Sequence, residues 1–185
     1  MKIIQLSDAS IKTWSGGNTT ELFIFPDQSS FSEGNFELRI SLATVEQSQT
    51  VFTPLPDTQR TLLVLEGTQL LEHQGHHTAN LNGLEQDSFS GGWTTHCQGT
   101  STNFNVMTKG SNRAEVTVKN LNAHQSIQVG AKNVLSFIYV VNGAIKYDQT
   151  TIRTKQAISF QNMEEFIAEK RTQIVVVSYP LKSEL

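Results

Sequence analysis

An internal repeat constrains the fold of this 185-residue sequence more than any other feature. Three segments of the first half have counterparts in the second half, and the pairs are residues 63–67 (LVLEG) with 139–143 (YVVNG), 87–89 (DSF) with 158–160 (ISF), and 104–107 (FNVM) with 175–178 (VVVS). From Phe89 and Phe160 onward the two halves align without a gap. The repeat therefore predicts two similar lobes built on one pattern of elements.

Signals for β-strands run through both halves, because β-branched and aromatic residues cluster in short runs between turn residues. These runs are residues 21–25, 36–45, 61–65, 104–107, 114–118, 135–141 and 174–179. The best helix candidate is residues 162–170, where Asn162 and Glu165 have the spacing of a capping box. The repeat instead sets residues 165–168 opposite 94–97, so we predict a strand there.

Duplicated halves of short strands are typical of a jelly roll. We predict an all-β, cupin-like jelly-roll barrel that is duplicated, a bicupin, in one compact unit. Residues 1–118 would form the first lobe, with the ligand pocket, and residues 119–185 a shorter lobe that serves as scaffold.

Composition bounds the location and the partners. The sequence is 37% hydrophobic and 17% charged, which indicates a folded chain, and its net charge of −3 comes with scattered lysines and arginines. That balance argues against nucleic acid and membrane partners. The single Cys97 excludes an internal disulfide, and the first ten residues hold no apolar run of signal-peptide length. We therefore expect a cytoplasmic protein.

The sequence keeps the spacing of the cupin metal-binding motifs but lacks most of the metal-binding residues. Metal-binding cupins need imidazoles and a carboxylate that converge inside the barrel, with two histidines on one face of a strand. Here His73 follows Gly67 at the expected distance, but Gly75 stands where the next histidine is needed and Thr94 where the last one is needed. The second lobe has Gln149 in the place of the first histidine. We expect no metal and no cofactor.

The remaining histidines do not restore a ligand set. His73, His76 and His77 lie around a Gly-containing segment typical of a polar turn, where histidines are ordinarily exposed. His96 would serve as a ligand only if its strand shifted by two residues. Otherwise it forms a hydrogen bond in a pocket or in the core. Cys97 and His96 point to opposite faces of a strand and cannot form a catalytic dyad, so we interpret Cys97 as a buried, inert residue.

Several segments together resemble the HutD/Ves family of bacterial bicupin-like proteins. They are residues 14–21 (WSGGNTTE), 36–45 (FELRISLATV), 52–60 (FTPLPDTQR), 65–67 (LEG), 87–89 (DSF) with Gly91, and 103–107 (NFNVM). The resemblance implies a metal-free cytoplasmic protein that binds a small carboxylate, such as a formylated or imidazole-derived intermediate of histidine breakdown. It also implies an accessory role, regulatory or protective, in histidine utilisation.

The strand over residues 36–45 places its apolar residues on one face and Arg39 on the other. Arg39 is then either a solvent-facing charge or a pocket anchor. The resemblance covers Arg39 and Arg60, and a planar guanidinium is suited to holding a carboxylate through two hydrogen bonds. We therefore include both arginines in the candidate ligand-binding site.

Comparison of the two halves adds Asn105 and His96. The repeat sets Asn105 against Val176 and His96 against Ile167, so the first half has polar residues where the second has apolar ones. A buried amide needs partners, and a ligand is one candidate. The alternative for Asn105 is that it satisfies backbone groups at a bulge. Both differences fall in the first half, where we place the site.

Four further residues complete the candidate site. Trp14, Phe52 and Phe104 could form an apolar wall, although aromatic residues of an all-β core more often serve in packing. Glu21 is either an acid–base group or the ion-pair partner of an arginine.

The leading hypothesis is a binding or sensor protein for a small anionic metabolite rather than an enzyme. Two alternatives stay open: a cupin-type isomerase or hydrolase that uses Glu21 or His96 on a small anionic substrate, and a protein-interaction module built on the loop around Trp14. Cupins often pair through a sheet edge, so a homodimer is the oligomer to test.

Overall fold

The structure is a computed structural model that describes residues 1–6 and 9–181. These residues form nineteen β-strands, which confirms the all-β prediction. They divide into two compact units, one of residues 9–111 and one that combines residues 1–6 with 112–181. In the part of the chain that is described, no helix has the length and apolar character needed to cross a membrane.

The 9–111 unit contains two antiparallel sheets. A six-stranded sheet has the order β2-β3-β4-β11-β6-β9 and a four-stranded sheet has the order β5-β10-β7-β8. The strands are β2 (Ile11–Trp14), β3 (Gly17–Phe25), β4 (Leu38–Val45), β5 (Gln49–Val51), β6 (Thr58–Gly67), β7 (Gln69–His73), β8 (Thr78–Leu81), β9 (Gln86–Ser90), β10 (Thr95–Gln98) and β11 (Ser101–Lys109). Leu62 and Phe89 of the larger sheet pack in one cluster with Leu71 and Cys97 of the smaller, so the two sheets enclose a common interior.

The other unit contains a five-stranded sheet of order β1-β17-β14-β19-β12 and a four-stranded sheet of order β13-β18-β15-β16. Its strands are β1 (Lys2–Gln5), β12 (Glu115–Leu121), β13 (Ser126–Val129), β14 (Val134–Asn142), β15 (Ala144–Tyr147), β16 (Thr150–Arg153), β17 (Gln156–Phe160), β18 (Glu164–Ala168) and β19 (Thr172–Pro180). Side chains such as Ile145, Ile152, Phe166 and Ile174 are fully buried and fill the space between these sheets.

The two units share one strand order. The order β9-β6-β11-β4 corresponds to β17-β14-β19-β12, and β5-β10-β7-β8 corresponds to β13-β18-β15-β16. Strand β18 covers residues 165–168, so the strand prediction there is confirmed and the alternative helix does not form.

The unit boundaries differ from the expected 1–118 and 119–185. Strand β12, which includes residues 115–118, pairs with β19 along its whole length and so belongs to the second unit. Strand β1 pairs with β17 and joins the same sheet, although it lies at the other end of the chain. Long-range strand pairing decides both boundaries, and a lobe boundary placed along the sequence cannot represent it.

Candidate ligand-binding site

A cavity of about 290 Å³ lies in the 9–111 unit. Its polar lining consists of Lys12, Thr13, Thr19, Arg39, Ser41, Thr53, Arg60, Asn103 and Asn105. Its apolar lining consists of Trp14, Phe31, Ala43, Val45, Phe52, Leu55, Leu62 and Met107. An apolar cavity with a few convergent polar groups is the usual form of a small-molecule site.

Strand alternation brings the polar groups into this cavity. On β4, Arg39 and Ser41 face the cavity, while Leu38 and Ile40 are fully buried on the opposite face. This is the sidedness expected from the period of two. On the neighbouring β11, Asn105 is paired with Ser41 in the register of the sheet. The adjacent strands therefore present one polar row toward the cavity.

Arg39 is 4% exposed and has a partial set of partners. Its Nε donates to Oε2 of Glu21 at 2.7 Å, and its Nη1 lies 3.4 Å from Oγ of Ser41. The ring of Phe31 covers the guanidinium, with 4.1 Å between the central carbon and the ring centroid. Glu21 thus has the ion-pair role that the sequence left as one of two alternatives.

Arg60 is buried, and its Nε has no hydrogen-bond partner among the described residues. Burial, and then the positive charge of Arg39, lower the pKa of Arg60 to about 10. The guanidinium therefore stays charged at neutral pH. It lies between the rings of Phe52 and Phe89, whose centroids are 5.1 and 5.2 Å from its central carbon. No carboxylate of the described residues forms an ion pair with Arg60, so it is a cation in an apolar setting.

Two further lining residues carry buried polar atoms that bond to none of the residues described. They are Oδ1 of Asn105 and Nε1 of Trp14. A buried polar group without a partner costs about 1–3 kcal/mol, so such groups are uncommon and need an explanation. Together with Nε of Arg60, they provide donors and an acceptor around one cavity.

Five of the eight residues predicted for the site line the cavity: Arg39, Arg60, Asn105, Trp14 and Phe52. Glu21 adjoins it through its ion pair with Arg39. Whether they bind a ligand stays a prediction.

Phe104 and His96, which were also predicted for the site, do not line this cavity. Phe104 is fully buried but lies between Asn103 and Asn105, on the opposite face of β11 from the cavity. His96 is exposed, because Thr95 and Cys97 take the inward positions of β10. Its counterpart Ile167 is also exposed, so the repeat compared two outward positions there.

Sequence reasoning missed other lining residues. Asn103 and Met107 share the cavity face with Asn105, and the period of two would have found them. Phe31 comes from the segment between β3 and β4, and nothing in the sequence pattern indicated that it would cover Arg39.

The histidine segment also differs from expectation. His73 is 2% exposed rather than solvent-facing, and its ring nitrogens lie 2.8 Å from Oγ1 of Thr95 and 2.8 Å from Oδ2 of Asp87. Burial lowers the pKa of His73 against the opposing effect of Asp87. His76 and His77 are exposed, as predicted.

Two of the positions that carry metal ligands in cupins have residues in this chain that do not replace the expected histidines. Gly75 and Thr94 occupy these positions, and both are exposed.

Cys97 is buried, and burial raises the pKa of its thiol to about 11, so the thiolate that a nucleophile requires is scarce at neutral pH.

Comparisons with known proteins place the fold. The structure is similar to a conserved protein of unknown function from Pseudomonas aeruginosa, with a TM-score of 0.82 and 19% identity over 97% of this chain and 98% of that one. It is similar to HutD from Pseudomonas fluorescens, with a TM-score of 0.74 and 17% identity over 96% and 98% of the chains. The pirin YhhW from Escherichia coli, solved with nickel(II), gives a TM-score of 0.73 and 12% identity over 98% and 99%.

These neighbours confirm a cupin-like fold. A search of curated protein sequences found no match. The sequence profile of the HutD family matches residues 6–179, nearly the whole chain. The chain therefore belongs to the HutD family.

Proposed function

We propose that this protein binds a small carboxylate metabolite in the cavity of the 9–111 unit, as an accessory or regulatory protein of histidine utilisation in the cytoplasm. The observation that carries the proposal is the charge imbalance of the cavity. Two guanidinium groups, those of Arg39 and Arg60, line it, and the carboxylate of Glu21 pairs with Arg39. Buried charges are normally paired, so an anion at Arg60 would complete the set.

The chemistry of the lining supports a particular kind of ligand. A guanidinium holds a carboxylate through two parallel hydrogen bonds, and Nε of Arg60 has no hydrogen-bond partner among the described residues. Oδ1 of Asn105 accepts a hydrogen bond, so a ligand with an N–H group as well as a carboxylate would satisfy both residues. The rings of Trp14 and Phe52 offer an apolar surface for the rest of the molecule.

The link to histidine breakdown rests on family membership and on this fit. Formylated amino acids and imidazole-bearing acids both combine a carboxylate with an N–H donor. HutD from Pseudomonas fluorescens, a structural relative, was solved in a formate condition. Formate is therefore the smallest probe of the carboxylate position.

Calorimetric titration with formate, N-formyl-L-glutamate and urocanate tests the proposal. We expect at least one of the two larger acids to bind with one-to-one stoichiometry, and Arg60→Lys to weaken it by roughly tenfold or more, because the ammonium cannot reproduce the planar fork. Arg153→Lys, an exposed arginine of the other unit, is the matched control and should bind like the wild type. The proposal fails if none of the acids binds, or if Arg60→Lys binds as well as the wild type.

The geometry favours binding over catalysis. Glu21 adjoins the cavity, and its Oε2 accepts a hydrogen bond from Nε of Arg39 at 2.7 Å. This ion pair leaves the carboxylate less available as an acid–base group. Incubation of the protein with each bound acid, followed by NMR, should return the acid unchanged. Conversion of a bound acid would support the cupin-type isomerase or hydrolase instead.

A further inference from the structure

A second cluster of functional side chains lies outside the cavity lining. It consists of His73 at the end of β7, His77 in the turn that follows, and Asp87 on β9. None of the three lines the cavity. His73 and Asp87 are only 14 residues apart in the sequence but lie on strands of different sheets, and the fold brings their side chains together.

We propose that His73, His77 and Asp87 form a binding site for a divalent transition-metal ion such as Zn²⁺. One potential ligand atom from each residue lies within 4.8 Å of the other two. Nε2 of His73 is 2.8 Å from Oδ2 of Asp87, and Nε2 of His77 is 2.9 Å from the same oxygen and 3.1 Å from Oδ1. Each imidazole therefore directs its Nε2 at the carboxylate of Asp87.

The outer hydrogen bond of His73 matches that of a metal ligand. A ligating histidine usually donates from its other ring nitrogen, and this bond fixes the tautomer and the ring orientation. Nδ1 of His73 lies 2.8 Å from Oγ1 of Thr95, on the side away from Asp87. When Nδ1 donates to Thr95, the lone pair of Nε2 faces the carboxylate, and a cation bound to both atoms would remove the repulsion. Because Zn–N and Zn–O bonds are each about 2.0–2.2 Å long, the two atoms would move apart from their present 2.8 Å on binding.

The cluster is enclosed by aromatic rings on one side and open to solvent at His77. His73 is buried, and the side chain of Asp87 is only 15% exposed, whereas that of His77 is 42% exposed. The ring of Phe89 packs against His73 at 4.3 Å between centroids, and Trp93 lies beside both His73 and His77. A metal ion could thus enter from the side of His77.

The ligand chemistry selects the class of metal. Two imidazoles and a carboxylate suit Zn²⁺, Co²⁺ or Ni²⁺, whereas Mg²⁺ and Ca²⁺ prefer oxygen ligands throughout. With neutral imidazoles the set carries a charge of −1, which complements a dication. Three protein ligands leave a coordination position for water. Of these residues only His73 stands at a cupin ligand position, so the set is distinct from that of the cupin motif.

Titration of the tag-free, full-length protein with Zn²⁺ by calorimetry, and with Co²⁺ by visible absorption, tests the site. We expect one equivalent of metal to bind and the Co²⁺ spectrum to be that of a low-symmetry site with nitrogen ligands. His77→Ala should weaken binding at least tenfold, and Asp87→Asn should do the same. His77 is the most exposed of the three ligands, and circular dichroism will show whether the fold of each variant is retained.

His76→Ala is the matched control. His76 is adjacent to His77 and is also exposed, but its ring stacks on Trp93 at 3.7 Å and does not belong to the cluster. This variant should bind Zn²⁺ like the wild type. Absence of stoichiometric binding, unchanged binding in folded His77→Ala, or an equal loss in His76→Ala would each overturn the proposal. The carboxylate titration is separate from these measurements, so either proposal can fail without the other.

Discussion

Two residues of the cavity lower the stability of the free protein but suit ligand binding. Arg60 is buried with an unpaired Nε and a lowered pKa, and Asn105 has an unpaired Oδ1. A core built for stability alone would replace both by apolar side chains. Val176 is that replacement in the other unit, at the position equivalent to Asn105. Polar groups kept at such a cost are typical of a binding site.

Glu21→Gln tests whether the internal carboxylate competes with an external one. The substitution removes the negative charge beside Arg39, so the cavity becomes more positive and a carboxylate should bind roughly tenfold more tightly, about 1.4 kcal/mol. Without ligand, the variant should be less stable by about 1 kcal/mol, because Arg39 loses its ion-pair partner. Calorimetry and urea unfolding measure the two effects. Weaker binding would show that Glu21 helps to hold the ligand.

Asn105→Val tests the exchange of stability for binding. Removal of the unpaired buried amide oxygen should stabilise the free protein by about 1 kcal/mol, which raises Tm by roughly 2–4 °C in a chain of this size. The same variant should lose most of its carboxylate affinity. Differential scanning fluorimetry and calorimetry provide the measurements.

Asn103→Val is the control for that experiment. Asn103 lies on the same face of β11, but its Oδ1 accepts a hydrogen bond from Ser101 at 3.0 Å. Its replacement should therefore lower Tm. If both variants lower Tm equally, Asn105 has partners that the geometry does not show.

The elements that build the site are β4, β6 and β11, and their order was accessible only in part from sequence. The alternation of residues 36–42 correctly placed Arg39 on the face of β4 opposite to Leu38 and Ile40. It did not show that β11 lies between β4 and β6, which is the pairing that brings Asn105 between Ser41 and Leu62. The wrong placement of His96 has a similar cause, because alternation divides a strand into two faces without saying which one is inside.

Gly67 is the last residue of β6, and Gly143 directly follows β14, the equivalent strand of the repeat; both have a positive φ, +84° and +98°. A Cβ on Gly67 would clash with the carbonyl oxygen of Thr100, and one on Gly143 would clash with Oγ1 of Thr172. Both copies of the repeat therefore need glycine at this position, because the backbone has a positive φ and a neighbouring residue leaves no room for a side chain.

Gly67→Ala should destabilise the protein by about 3 kcal/mol, from the backbone strain together with the clash. Gly75→Ala is the matched control, because Gly75 has a φ of +77° but no atom within 4 Å of the added carbon. It should cost only about 1 kcal/mol, the strain of the left-handed conformation. Equilibrium urea unfolding compares them. Equal losses would mean that the contact with Thr100 relaxes without cost.

At the scale of the whole molecule, two units with one strand order have different interiors. The unit of residues 1–6 and 112–181 is filled by aliphatic and aromatic side chains, such as Ile145 and Phe166. The 9–111 unit packs part of its interior in the same way but leaves a cavity beside Arg39 and Arg60. Duplication followed by divergence of one interior would explain both the repeat and the concentration of buried polar side chains in the 9–111 unit.

Deletion of residues 1–6 should affect the two units differently. It removes β1 and exposes the edge of β17, so amides of Gln156–Phe160 should exchange faster and Tm should fall. The carboxylate Kd should stay within about twofold, because the cavity lining lies wholly in the 9–111 unit. Hydrogen exchange with mass spectrometry and calorimetry measure these changes. Lys2→Ala, an exposed substitution within β1, is the control.

Local residue preferences and the repeat along the chain were enough to predict the all-β class, two similar halves and the position of Arg39 opposite to Leu38 and Ile40. That Phe31 covers Arg39, that His96 faces outward and that Asp87 meets His73 became apparent only in the folded molecule. Each of these depends on how loops and strands pack against one another, and that packing is a property of the assembled sheets rather than of any one segment.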